Sequence, residues 1–182
     1  MSQPERGIPA RQEPLTRALS ELDQILESSE GAEDRLLKAL ELLGRVVPYD
    51  RCALLDRPPG CATRVVVVPE QPPKERAQLT AATAGFFSAL LDKQARPRGT
   101  DLLPQGAHLA VPLVGHDEVI GVLLVRRAEG VYQSMDLMLL SVVSTRLSAY
   151  LTMLSERMTL LAPERAAAGI DELLASVARG PL

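Results

Sequence analysis

His108-Leu-Ala-Val-Pro-Leu-Val-Gly-His-Asp-Glu-Val-Ile-Gly-Val-Leu-Leu-Val-Arg-Arg127 decides the fold of this 182-residue chain. Leu109–Val114 and Val119–Val125 are two apolar runs separated by Gly115-His116-Asp117, a pattern that predicts two strands joined by a tight turn. Neither run alternates apolar with polar residues. A half-exposed strand shows period two, so both faces of this sheet must be covered. Pro112 cannot donate to a strand ladder and belongs at an edge, a bulge or a loop. Gly121, inside the return strand, signals close backbone approach by a neighbour.

Upstream, Arg51–Leu55 reads as a short strand closed by Pro58-Pro59-Gly60. Thr63–Val68 reads as another, because its four consecutive valines suit a pleated backbone. Residues 74–94 read as a helix with Leu79, Ala82, Phe86, Phe87, Leu90 and Leu91 inward. Residues 95–107 read as a loop that has room for a short strand. Nearer the N-terminus, Leu15, Ala18, Leu19, Leu22, Ile25 and Leu26 share one helix face. Leu36, Leu37, Leu40, Leu43, Val46 and Val47 share another in a helix stopped by Pro48. Residues 1–14 hold three prolines among charges and predict a disordered arm.

Downstream, Ser134 is placed to cap a long helix running to about Leu161. Pro163 is expected to break the chain there. A last short helix, Glu164–Ala178, carries Ile170, Leu173, Leu174 and Val177 on one face, which docks either back on the domain or on another protein. The division expected is a disordered arm (1–14), an N-terminal helix (15–30), a domain over 31–161 that includes the long helix, and a short C-terminal helix (163–182).

Composition excludes several classes. Hydrophobic residues make up 46% of the chain and the net charge is −3, which gives enough apolar matter for a core and no general attraction to nucleic acid or an anionic membrane. No apolar run is read as approaching the roughly 18 residues of a membrane span, and Met1 to Pro14 read as polar, without the apolar segment expected of a secretion signal. Two cysteines do not make a disulfide scaffold. Arg outnumbers Lys, 17 to 3, which points to a GC-rich genome and says little of function. There is no Trp, and Tyr49, Phe86, Phe87, Tyr132 and Tyr150 are the only aromatics, a thin supply for stacking a flat cofactor or base.

The strand pair from His108 to Val125, followed by a loop and by Ser134-Met-Asp-Leu-Met-Leu-Leu140 opening a long helix, resembles a GAF domain, a small sensory domain related in shape to PAS domains. Tyr49-Asp50-Arg51-Cys52 is similar to that family's entry into its first strand. The resemblance covers about residues 32–155. It implies an α+β fold, with an antiparallel sheet of five or six strands and helices on both faces. One face would carry the long terminal helices, joined in a bundle, and the other a pocket closed by a helix and loops. Arg64, Phe86, Phe87, Leu90 and His108 are the residues expected to line that pocket. The Asn-Lys-Phe-Asp-Glu signature of cyclic-nucleotide-binding members is absent, as is a chromophore-attaching Cys-His pair. No Gly-rich phosphate loop appears.

Positions 137, 140, 144, 147, 151, 154, 158 and 161 follow a 3-4 spacing and are apolar except for Ser144, as in a coiled-coil seam. Met135, Met138, Leu139, Val142, Val143, Ala149, Tyr150 and Met153 lie on a different face. A surface helix needs one apolar face, so two imply two partners, the chain's own sheet and something else. The expectation is a homodimer through Leu15, Leu19, Leu22 and Leu26 of the first helix and Leu137, Leu140, Leu147, Leu151, Leu154, Met158 and Leu161 of the last.

Residues able to do chemistry are few. Cys52 and Cys61 lack zinc spacing and read as passive thiols. Some GAF proteins reduce free methionine sulfoxide with a characteristic set of cysteines, but this chain has none over 69–107. His116 reads as a solvated turn residue and His108 as the start of a central strand. Lys93, Arg96 and Arg98 read as a solvated basic loop. No catalytic residue, metal or cofactor is expected. The expected function is that of a non-catalytic, cytoplasmic, bacterial regulatory module acting by protein–protein interaction, with another signalling protein as partner and no nucleic acid or membrane. A sensor of an unknown small molecule in the sheet pocket ranks second, and an enzyme of the sulfoxide-reductase type third.

Overall fold

The computed structural model describes residues 12–57, 62–92 and 107–178, with side chains over 16–57, 62–92 and 107–160. The elements in chain order are α1 (Gln12–Glu27), α2 (Ala32–Val46), β1 (Arg51–Asp56), β2 (Arg64–Val68), α3 (Pro73–Leu91), β3 (Ala107–Gly115), β4 (Glu118–Arg127) and α4 (Ser134–Ala178). The strands form one antiparallel sheet in the order β2-β1-β4-β3. Four strands are described, and the stretch left for a further short strand, 95–106, lies outside the described residues.

Strand alternation sends side chains to opposite faces, and the two faces meet different helices. Cys52, Leu54, Val66, Leu123 and Val125 join the core beneath α1, α2 and α4, while Ala53, Leu55, Val67, Val122 and Leu124 face α3. β1 and β4 are central and nearly wholly buried, which is why their sequences show no period two. β3 is an edge strand of the described sheet, so His108 opens an edge and not a central strand. That position admits Pro112, whose missing N–H costs no ladder bond there.

At the hairpin, His116 and Asp117 both have positive φ, 50° and 65°. This backbone matches the right-handed twist of the flanking strands. The register slips between Leu113 and Val114, making Ile120 the extra residue of a bulge on β4. Gly121 follows, and a Cβ there would run into the Leu55 carbonyl oxygen, so the close approach expected from sequence is present.

α4 lies along β3. Its small residues allow the approach: Ser144 and Ser148 are buried, and a Cβ on Gly115 would strike Thr152 Oγ1. Ser148 Oγ accepts the Val114 N–H at 3.0 Å, satisfying a backbone donor beside the bulge. At its start, the Gln133 N–H donates to Asp136 Oδ2 at 2.8 Å, so Asp136 caps the helix that Ser134 was expected to cap.

Three expectations need correction. α1 begins at Gln12, inside the stretch read as a disordered arm; residues 1–11 lie outside the described residues. α4 runs 45 residues without a break, so Pro163 does not separate a last helix. A proline removes one N–H from the ladder and bends a helix, and the Leu- and Ala-rich flanks here are strong helix formers that carry it through. Finally, Ser134–Leu160 is long and apolar enough, at a hydropathy of 1.5, to meet the length and composition of a membrane span, although no uninterrupted run does. Its Ser and Thr residues interrupt the run while lowering hydropathy little. Leu140, Val143, Leu147 and Leu151 are buried against the chain's own sheet and helices.

Candidate functional site

The residues expected to line one pocket divide between the two faces. Phe86, Phe87, Leu90 and His108 belong to the α3 side. Phe87 is buried with Leu55 and Val122, and Phe86 and Leu90 pack against that cluster. The Phe86 ring tilts at 57° to His108, with centroids 5.4 Å apart. Phe86, Phe87 and Leu90 pack under α3, while Pro112 and Val114 of β3 are exposed. The basic loop Lys93, Arg96 and Arg98 lies outside the described residues.

Arg64 sits on the opposite face. It opens β2 directly across from Asp56, the last residue of β1. Its Nε and one terminal nitrogen donate to the two Asp56 carboxylate oxygens, each at 2.8 Å. The Asp56 side chain is 5% exposed and that of Arg64 30%. A bidentate pair of this kind compensates a carboxylate for leaving water. The Asp56 hydrogen bond is the main reason the Arg64 pKa is raised; burial opposes it.

The pair floors a cleft of about 260 Å³ at the point where α4 leaves the sheet. Leu151, Leu154, Ser155 and Met158 of α4 form one wall, and Ile120 of the bulge and Ala32 of α2 the other. Arg57 and Ala62 flank the ion pair. Sequence reasoning missed this cleft. Asp56 carried a signal, a carboxylate in phase with Cys52 and Leu54 on a buried face, matched by a basic residue starting the next strand. The rest is assembled from four distant parts of the chain and follows no motif.

The 3-4 seam of α4 turns inward. Leu140 and Leu147 are fully buried and Leu151 is 4% exposed, covered by the sheet and helices of the same chain. Leu22 and Leu26 of α1 are 1% and 7% exposed in the same core, and Leu19 and Leu154 pack partly buried against it. Leu22, Leu26, Leu140, Leu147 and Leu151 are therefore not available for the interface expected of them, and Leu19 and Leu154 are partly committed to the same core. Over a few turns, a helix on a sheet and a coiled coil need the same spacing, which is why the seam misled. Leu137 and Met158 are exposed; the side chains of Leu15 and Leu161 lie outside the described residues.

The other apolar face takes the outward role in part. Val143 and Tyr150 are buried, but Met135 and Met138 are each 50% exposed and Leu160 is 72% exposed. Val142 and Met153 are half-buried between them and Ala149 is exposed, so an apolar stripe follows the outer side of the helix.

Chemistry of the thiol type has little support in Cys52. It is fully buried, and burial pushes its pKa far above the ordinary thiol value. Cys61 lies outside the described residues. Among the described residues, no group of three His, Cys, Asp or Glu is placed to hold a metal ion.

The GAF domain family model matches residues 31–151. No curated protein matches the sequence. Among solved structures, the chain is similar to the GAF domain of an Acinetobacter phosphoenolpyruvate-protein phosphotransferase, at 16% identity and a TM-score of 0.57, covering 80% of this chain and 95% of that one. It is similar to a GAF domain from Pseudomonas syringae pv. tomato at 18% identity and a TM-score of 0.58, covering 84% and 95%. The GAF domain of a Coxiella burnetii phosphoenolpyruvate-protein phosphotransferase gives 15%, 0.51, and coverage of 81% and 98%. These likenesses concern the fold, and the family match spans most of the sheet and its helices: the chain belongs to the GAF domain family.

Proposed function

We propose that this GAF domain is a non-catalytic regulatory module that pairs with a second copy of itself through the outer stripe of α4 and acts by protein–protein contact. The observation that carries this is the exposure of Met135, Met138 and Leu160 along one helix whose Leu140, Leu147 and Leu151 are already buried in the chain's own core. The stripe falls at positions 135, 138, 142, 149, 153 and 160, in steps of three, four and seven, with Thr145 and Glu156 at the intervening turns. A like helix matches such a rhythm when two copies meet across a two-fold axis. The buried Cys52 supports action by contact over catalysis. Cytoplasmic location and a further signalling partner belong to the same reading.

Sedimentation of the whole protein tests it. The native chain should sediment as a dimer, and Met138→Glu with Leu160→Glu should give a monomer of unchanged helix content. A native monomer at high concentration, or a double variant that stays dimeric, would refute the pairing. A second reading, a small-molecule sensor, is favoured by the cleft at Asp56 and Arg64, which lies on the face away from the expected pocket.

A further inference from the structure

The cleft joins two chemistries. Its walls are mostly apolar, from Leu151, Leu154 and Met158 on one side and Ile120 on the other. The floor is polar, and its charges do not cancel. Asp56 and Arg64 neutralise each other, while Arg57 also lines the cleft and makes no ion pair among the described residues. Among the lining residues the excess is one positive charge. Arg64 spends two of its five N–H groups on Asp56, and the other three have no protein partner among the described residues. Glu33, on the first turn of α2, feels Arg64 electrostatically but is itself exposed.

From this arrangement we infer that the cleft binds a small amphipathic carboxylate, its apolar tail along α4 and its carboxylate between Arg57 and Arg64. A volume of about 260 Å³ accommodates roughly nine water-sized groups, the scale of a chain of about eight carbons. A ligand of that shape desolvates the α4 wall, and its carboxylate takes up guanidinium donors that Asp56 leaves over. The site lies on the helical side of the sheet, across from the face where the pocket was expected. It needs neither the outer stripe of α4 nor dimerisation.

The test is titration of the full-length protein with octanoate, read in the methyl resonances of its five methionines. The Met158 methyl should shift saturably, and the Met135 and Met138 methyls, on the outer stripe, should not. Octanol, with the tail but no charge, should bind at least roughly tenfold more weakly, the cost of losing a charge-assisted hydrogen bond. Arg57→Gln should weaken octanoate roughly fivefold, the scale of a partly exposed ion pair. Leu154→Trp should block the cleft and abolish the shift. Should that variant fail to fold, the Arg57 and octanol comparisons decide. No Met158 shift, equal binding of octanol, an Arg57→Gln protein that binds like the native one, or shifts at Met135 and Met138 would each overturn the inference. Sedimentation is unaffected by these results, so failure here and failure of the proposed pairing are separate outcomes.

Discussion

On one face of the sheet, α1, α2 and α4 enclose a single apolar mass that runs from Leu22 through Leu40, Leu54 and Leu123 to Leu147. On the other face, among the described residues, α3 covers two small clusters that share Val65, Phe86 and Ala110, one around Leu79 and one around Phe87. α3 itself buries only Leu79, Ala82, Thr83 and Phe87. Stability follows the apolar surface that is removed from water, and structure with few buried contacts opens at lower free energy. The comparison assigns the scaffold to the helical layer and the lower local stability to α3. The cleft and the outer stripe of α4 both lie on the scaffold side, where their residues are held in place.

Truncations in the two cores give the largest effects. Leu147→Ala, at a fully buried position surrounded on all sides, should cost about 4 kcal/mol in denaturant unfolding. Phe87→Ala removes more atoms, but its small cluster under one helix is freer to collapse, so about 3 kcal/mol is expected. A Phe87→Ala loss well above that of Leu147→Ala would break the comparison. Amide exchange sharpens it without mutation: α3 should exchange through partial opening while β1, β4 and the Leu140–Leu151 turns of α4 exchange only on global unfolding.

Alkaline pH discriminates next. Cys52, Tyr150 and the half-buried Tyr49 and Tyr132 belong to the helical-layer core or pack against it, and among the described residues the α3 face has no Cys or Tyr. Burial raises all four pKa values, with Tyr132 pushed up to about 12. A raised folded pKa means that the folded state holds its proton more tightly. The stabilisation is complete below the unfolded values, 9.0 for the thiol and 10.0 for the phenols, and is lost as pH rises through the folded ones. Tm should therefore be flat to about pH 9 and then fall. Cys52→Ala should delay the onset. Tyr49→Phe should flatten the later limb, at the expense of the 2.6 Å hydrogen bond from Tyr49 to the Leu40 carbonyl. A Tm independent of pH between 9 and 11 would show that these groups are solvated in the folded state.

Most of this architecture is written in local pattern. Four valines and the paired apolar runs around Gly115-His116-Asp117 state requirements that neighbours in sequence satisfy, and Pro112 and Gly121 announce requirements that the sheet edge and the Leu55 carbonyl then meet. What sequence did not settle was direction. α4 has apolar residues on both sides, and only the presence of Ser144, Ser148 and Gly115 where helix meets strand shows which side closes on β3. Small residues at the seam mark the near-contact face, a signal that hydrophobic counting overlooks. The cleft was illegible for another reason. Ala32, Arg64, Ile120 and Leu151 meet only because β1 pairs with both β2 and β4, and no local spacing encodes that meeting.

The smallest expected effect concerns the hairpin tip that ties the sheet to α4. His116 and Asp117 occupy left-handed backbone that a residue with a Cβ adopts at a cost, and His116 reaches across to Glu156 at 3.0 Å. Asp117→Gly relieves the backbone at one position while leaving the His116–Glu156 contact intact, so a gain of about 0.5 to 1 kcal/mol is expected. His116→Gly relieves the other position but loses the contact, and its gain should be smaller by the worth of an exposed pair, under about 1 kcal/mol. If the two variants gain equally, the link from the tip to α4 adds nothing and the helix is held by its buried face alone. If His116→Gly is the less stable protein, the tip fastens α4 close to the point where it leaves the sheet and borders the cleft.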